Sequence, residues 1–304
     1  MEPCDVTTRV IHRRGLAFEV ETRTSPSPRT APVFVVRAGG EGESTIRPQA
    51  EALLSVADII GVRIAGVSNP GTLPAHCGLG DLADGLAAVL DELGLPRVNV
   101  LGTSHGGEIA YRLAVSHPGR IDRVVLTGAN GHRPRMPPGV TPAMAAARAE
   151  SDRHGVAEEI VSSVVCLDPD RRVRGRATLQ WLLKDLFNGA DDNHLRQWTR
   201  CLQMMCEAPL PTGVSAPLLV VTGEHDSAIR PADSRALAAM SSPAVFATIQ
   251  EADHWVFLTR TREHLDLTRR FLLDERLDHL PYLAALECFP HPSTHRPSAA
   301  AAEV

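Results

Sequence analysis

Apolar and polar positions follow two periods along this chain, and the boundaries between them outline its architecture. Residues Val6 to His12 and Leu16 to Thr22 alternate polar and apolar, which predicts two strands of a hairpin turning near Arg14-Gly15. After the segment SPSPRTAP, Val33 to Val36 is continuously apolar, as expected of a strand buried on both faces, and Gly39-Gly40 closes it. A helix is expected near Pro48 to Ser55, then a buried strand at Ala57 to Val62. Leu82, Leu86, Val89, Leu90 and Leu93 keep helical spacing, with Gly94 as a stop. A strand at Val98 to Leu101, a helix from His105 to His117 and a strand at Arg123 to Thr127 continue the alternation.

Strand and helix taking turns in this way predicts an α/β fold with a parallel sheet covered on both faces. The pattern breaks after Asn130. Residues 131–213 hold helix-like segments (Pro142 to Val165, Thr178 to Phe187, Asn193 to Cys206) and no clear strand. Strands resume at Pro217 to Thr222 and Val245 to Ile249, with helices at Pro231 to Met240 and through Phe271. The domain reading is therefore a core of residues 1–130 and 214–275, a helical lid at 131–213, and a partly disordered C-terminal extension at 276–304. That extension opens with a short amphipathic piece, Leu277 to Leu286, and ends in CFPHPSTHRPSAAAAEV.

Composition narrows the function classes. The 304 residues are 43% hydrophobic and 22% charged with net charge -5, and the charges are mixed, so no basic patch argues for nucleic acid. Lys184 is the sole lysine, a skew toward arginine that coding bias explains better than phosphate binding. No run reaches the ~18 apolar residues of a membrane helix, and MEPCDVTTRVIHRRG has no apolar signal-peptide core. The six cysteines are scattered without a CxxC pair, so reduced thiols, a cytoplasmic location and no metal site are expected.

The candidate chemistry lies at strand ends. A serine hydroxyl needs a base, a group to hold the base, and donors for the oxyanion that forms. In NVLGTSHGGEIAYRLA, Ser104 follows an apolar strand and opens a helix, with Gly102, Gly106 and Gly107 supplying room for a sharp turn. A helix N-cap is the alternative reading of Ser104. APLLVVTGEHDSAIRP places Asp226 four residues past Thr222, and TIQEADHWVFL places His254 just past the last parallel strand. Asp233 and Asp253 are rival acids. Ser104, Asp226 and His254 thus each sit beyond the carboxyl end of a strand, where one edge of the sheet gathers them.

The segments GTSHGG, TGEHD and ADH in this order resemble the α/β-hydrolase superfamily, in the lidded branch that contains esterases, lactonases and C–C bond hydrolases. The likeness spans roughly residues 6 to 273. It implies an eight-stranded, mostly parallel sheet with an antiparallel start and a helical lid inserted after the sixth strand, acting without metal or organic cofactor. By the same resemblance Ser104 matches the nucleophile, Asp226 the acid and His254 the base, with oxyanion donors in the backbone N–H groups of Gly39 and His105. Relatives with an aspartate at the Ser104 position, the haloalkane dehalogenases and epoxide hydrolases, are disfavoured.

Two departures from the family pattern stand out. Arg37 replaces the histidine usual after the third strand, and VRIAGVSNPG places Arg63 and Ala65 where an acid and an arginine are usual. Two readings of Arg37 and Arg63 are open: solvated loop arginines, or an anion-binding pair. The functional expectation is a serine hydrolase of a small-molecule ester, thioester, lactone or activated C–C bond. An acyltransferase, cyclase or eliminating enzyme of a bacterial pathway is the alternative, and a non-catalytic ligand-binding protein a second. The expected partner is a small-molecule acyl substrate, with neither nucleic acid nor membrane. Trp181, Leu182, Phe187, Trp198 and Met204 are pocket-wall candidates, core packing being the competing reading of each. Sequence leaves oligomeric state open.

Overall fold

The computed structural model describes residues 6–37, 51–68, 71–130, 152–189, 192–208 and 212–290. Gly39, the start of the expected helix at Pro48, Trp198's side chain, the first part of the insert and the tail from residue 291 lie outside what is described.

A nine-stranded sheet runs β1-β2-β4-β3-β5-β6-β7-β8-β9. Its antiparallel start is the hairpin β1 (Val6–Arg13) and β2 (Leu16–Arg23), with β2 antiparallel to β4 (Ile59–Ile64). Strands β3 (Val33–Val36), β4, β5 (Val98–Thr103), β6 (Ile121–Thr127), β7 (Leu218–Gly223) and β8 (Ala244–Ile249) are mutually parallel. The chain builds β4 on one side of β3 and then crosses to β5 on the other. That reversal opens a crevice beyond the carboxyl ends of the strands, the usual place for a site in such sheets.

Period-two alternation sends neighbouring residues to opposite faces. Leu218 and Val220 join one core cluster with Leu86 and Leu90 of α1 (Leu79–Glu92) and Ile109 and Leu113 of α2 (Ser104–Ser116). Leu219 and Val221 join a second with Leu265 and Phe271 of the helix that follows β8. Both faces being covered is why these strands read as unbroken apolar runs.

Among the described residues, three helices lie between β6 and β7: α3 (Arg153–Val164), α4 (Arg176–Gly189) and α5 (Asp192–Glu207). Ile160 and Val161 of α3 pack with Leu179, Leu183 and Phe187 of α4 in a small core of their own. Cys201 and Met204 of α5 instead join the main core. Both roots of this insert are held by α2. The Glu108 carboxylate accepts the Asn130 N–H at 2.9 Å, and the Tyr111 hydroxyl donates to the Thr212 carbonyl at 2.7 Å.

Three expectations need correction. Eight strands were expected and the sheet has nine: β9 (Leu283–Phe289), within the C-terminal extension, pairs antiparallel with β8. Phe187 and Met204 are core residues, while Trp181 is 66% exposed and Leu182 is exposed too, so the helical face they form is turned outward. Arg37 and Arg63 are neither solvated loop residues nor a shared anion site. Arg37 is 3% exposed, lies against Gly61, where a Cβ would strike its guanidinium, and its Nη2 comes within 3.8 Å of Glu21. Arg63 pairs with Glu19. Each arginine thus reaches a glutamate on β2.

Candidate active site

Strand β5 delivers Ser104 through a turn that few residues could make. Gly102 is packed so closely beneath α2 that a Cβ there would lie 2.4 Å from the Gly106 carbonyl oxygen. Ser104 itself has φ +49, a left-handed conformation rare for a residue with a Cβ. The N-cap residue of α2 is Thr103, not Ser104, and it makes no side-chain cap hydrogen bond. The Ser104 hydroxyl is turned to His254: Ser104 Oγ and His254 Nε2 are 2.9 Å apart.

The acid arrives from β7. Asp226 is buried in the turn after this strand, and each carboxylate oxygen has defined partners. Oδ1 accepts the Ile229 N–H at 2.8 Å, and Oδ2 accepts the Thr222 hydroxyl at 3.0 Å and faces His254 Nδ1 at 3.0 Å. These bonds fix the carboxylate, and the Nδ1 contact leaves Nε2 as the ring's lone-pair nitrogen toward the serine. Burial of the His254 ring opposes its protonation. The charge and hydrogen bond of Asp226, with the charge of Asp253, outweigh that and hold its pKa above the ordinary histidine value.

Sequence reasoning placed Ser104, Asp226 and His254 at three strand ends, and the fold brings them into one hydrogen-bonded chain. The rivals are elsewhere: Asp233 pairs with Arg230, and Asp253 bonds backbone groups instead of the His254 ring. His105 follows Ser104 in the first turn of α2, where backbone N–H groups have no partner within the helix. Its two ring nitrogens are buried without a hydrogen-bond partner, and burial pushes its pKa down to about 4, so the ring is neutral at physiological pH.

Two contributors escaped the sequence reading. Gly128, at the end of β6, has φ +60 and supports the His254 ring: a Cβ there would stand 2.9 Å from His254 Cε1. Its signal was present, since TGAN after β6 repeats the strand-then-glycine pattern of LGTS and VTGE. Thr222 is the other, inward-facing at the end of β7. Among the described residues, no group of three or more His, Cys, Asp or Glu is placed to hold a metal ion, and no helix is long and apolar enough to cross a membrane.

A family model described as alpha/beta hydrolase fold matches residues 32–261. The chain is 24% identical over 277 residues to 2-hydroxy-6-oxo-2,4-heptadienoate hydrolase of Pseudomonas putida, covering 87% of this chain and 97% of the relative. Among solved structures, a thermophilic esterase from Thermogutta terrifontis superposes with a TM-score of 0.70 at 20% identity, covering 89% of this chain and 98% of that one. The enol-lactonase from Burkholderia xenovorans gives a TM-score of 0.70 at 21% identity, over 87% and 99% of the two chains.

Proposed function

The chain belongs to the α/β-hydrolase fold family and is an enzyme of that type, and on that premise we propose that it is a serine hydrolase acting through an acyl-enzyme on Ser104. Its substrate class is an ester, thioester, lactone or activated C–C bond of a small molecule. The observation that carries this reading is the continuous chain Ser104 Oγ–His254 Nε2 at 2.9 Å and His254 Nδ1–Asp226 Oδ2 at 3.0 Å.

Ser104 Oγ attacks the substrate carbonyl while His254 Nε2 takes its proton, and Asp226 stabilises the imidazolium that results. The oxyanion is received by backbone N–H groups, His105 supplying one and Gly39 the second. Collapse of the intermediate passes the proton from His254 to the leaving group. Water then repeats the sequence, releasing the acid and restoring Ser104. The names hydrolase, esterase and enol-lactonase among the relatives support the same bond class. Arg37 and Arg63 are occupied by glutamates of β2 and are not offered to a substrate anion.

A fluorophosphonate probe tests the reading. Labelling mapped to Ser104, together with loss of p-nitrophenyl ester hydrolysis in Ser104→Ala, is expected. No label at Ser104 overturns it.

A further inference from the structure

His254 is bracketed by two residues that the chemistry above does not use, and both are attached to the insert. On one side Asp253 is fully buried, and its two carboxylate oxygens are divided between two elements. Oδ2 accepts the N–H of Cys166, in the connection between α3 and α4, at 3.1 Å, and Oδ1 accepts the N–H of Trp255 at 3.1 Å. On the other side the Trp255 ring stands edge-on to the His254 imidazole with centroids 6.0 Å apart, and it packs against the α3–α4 core. Further along the same loop, the Glu251 carbonyl accepts the Arg174 N–H at 2.9 Å, and its carboxylate pairs with Arg172 and Arg174. The loop carrying the base therefore has backbone, ionic and apolar attachments to a single hairpin of the insert.

A carboxylate buried beside the base and beside Asp226 is costly to keep charged, and burial with the charge of Asp226 does raise its pKa. A capping role alone would be met by serine or asparagine without a buried charge. What aspartate provides is two acceptor oxygens and no donor, matched to two N–H groups from different elements.

We propose that Asp253 is a positioning residue that transmits the location of the α3–α4 hairpin to His254, so that the insert sets the base. This inference rests on the serine chemistry proposed above. A substrate that shifts the hairpin then alters the Ser104–His254 alignment through Asp253, and selectivity shows in the rate of attack as well as in binding. Asparagine at this position can satisfy only one of the two N–H groups and turns its own NH2 toward the other.

The test is the second-order rate of fluorophosphonate labelling of Ser104 across pH, run beside kcat and KM for p-nitrophenyl acetate. Asp253→Asn is expected to slow labelling about tenfold or more, to lower kcat with little change in KM, and to move the acid limb to lower pH, because a negative charge near His254 is lost. Cys166→Pro, which removes the paired N–H, should slow labelling by a similar factor, and the double variant should be no slower than either single one. Should Cys166→Pro not fold, Leu183→Ala, which opens the α3–α4 core, takes its place in the cycle. A folded Asp253→Asn protein with the wild-type labelling rate and pH profile overturns the inference, as do additive effects in the cycle. Failure of the wild type to label at Ser104 would instead overturn the serine chemistry itself.

Discussion

At the scale of single residues, the site depends on a few positions where one atom decides the outcome. Gly128 is the clearest. Alanine there meets both a left-handed backbone and the His254 ring 2.9 Å away. Gly128→Ala is expected to destabilise by about 1–2 kcal/mol and to reduce kcat about 100-fold by displacing the base, read from thermal unfolding and ester turnover. Asp226→Asn keeps the volume but loses the charge and presents the wrong partner to Nδ1, so kcat should fall by about 10⁴ with little change in fold. The sign of the pH dependence also follows. In the proposed mechanism His254 must be neutral to take a proton, and its pKa is held above the ordinary ~6.5. The kcat/KM profile should therefore lose activity on the acid side from a midpoint above 6.5, and a midpoint below 6.5 would contradict the Asp226 contact. Ser104, Asp226 and His254 were legible because strand-end motifs advertise them. Gly128 and Asp253 were harder, since their roles consist of what they touch across the fold.

Elements were legible to the degree that their pattern had a single explanation. Strands β3, β5 and β7 were readable as apolar runs because covered sheets demand such runs. The edge strand β9 was not, because Leu283, Ala284, Ala285, Leu286 and Glu287 favour helix and only pairing with β8 makes them a strand. Arg37 is a similar case. In sequence it is a charge beside a loop, but in the fold β2 offers Glu21 and β4 offers the bare backbone of Gly61, so the side chain lies along the sheet. Arg37→Met removes the more distant of two cations on Glu21, Arg23 remaining at 2.7 Å, and should cost about 1 kcal/mol by thermal unfolding. Gly102→Ala attacks the join of β5 and α2. With the Gly106 oxygen 2.4 Å from the new Cβ and no flexible side chain to give way, loss of folded protein on expression is the expected result.

For the whole molecule, buried ionisable groups make stability depend on pH in a specific way. His105 and His264 are both pushed down to about 4 by burial, against ~6.5 when unfolded. Their contribution is complete above 6.5 and is lost as pH falls toward 4, because the unfolded chain takes up protons that the folded chain refuses. Glu108 acts oppositely. Burial raises it to about 7, despite the Asn130 N–H and the Arg112 charge, so its contribution is present at low pH and is lost as pH rises through 7. Each group amounts to about 3 kcal/mol. Glu108→Gln should therefore steepen the acid-side decline in Tm and flatten the neutral side, a comparison made by melting both proteins between pH 4 and 8.

The grip of α2 on both roots of the insert has a wider meaning. Glu108 and Tyr111 are one helical turn apart, so the long excursion from Asn130 to Thr212 leaves and returns beside one short stretch of helix. Its two ends are therefore close neighbours, while α5 returns into the main core through Cys201 and Met204. Exchange of residues 153–189 for a glycine-serine linker, with α5 and its core residues Cys201 and Met204 kept, should leave the sheet folded, while Ser104 reacts more slowly for want of the hairpin proposed to position His254. Residues 251–255, which bond to the insert and carry His254, are then the place where any change in the insert must stay compatible with the sheet.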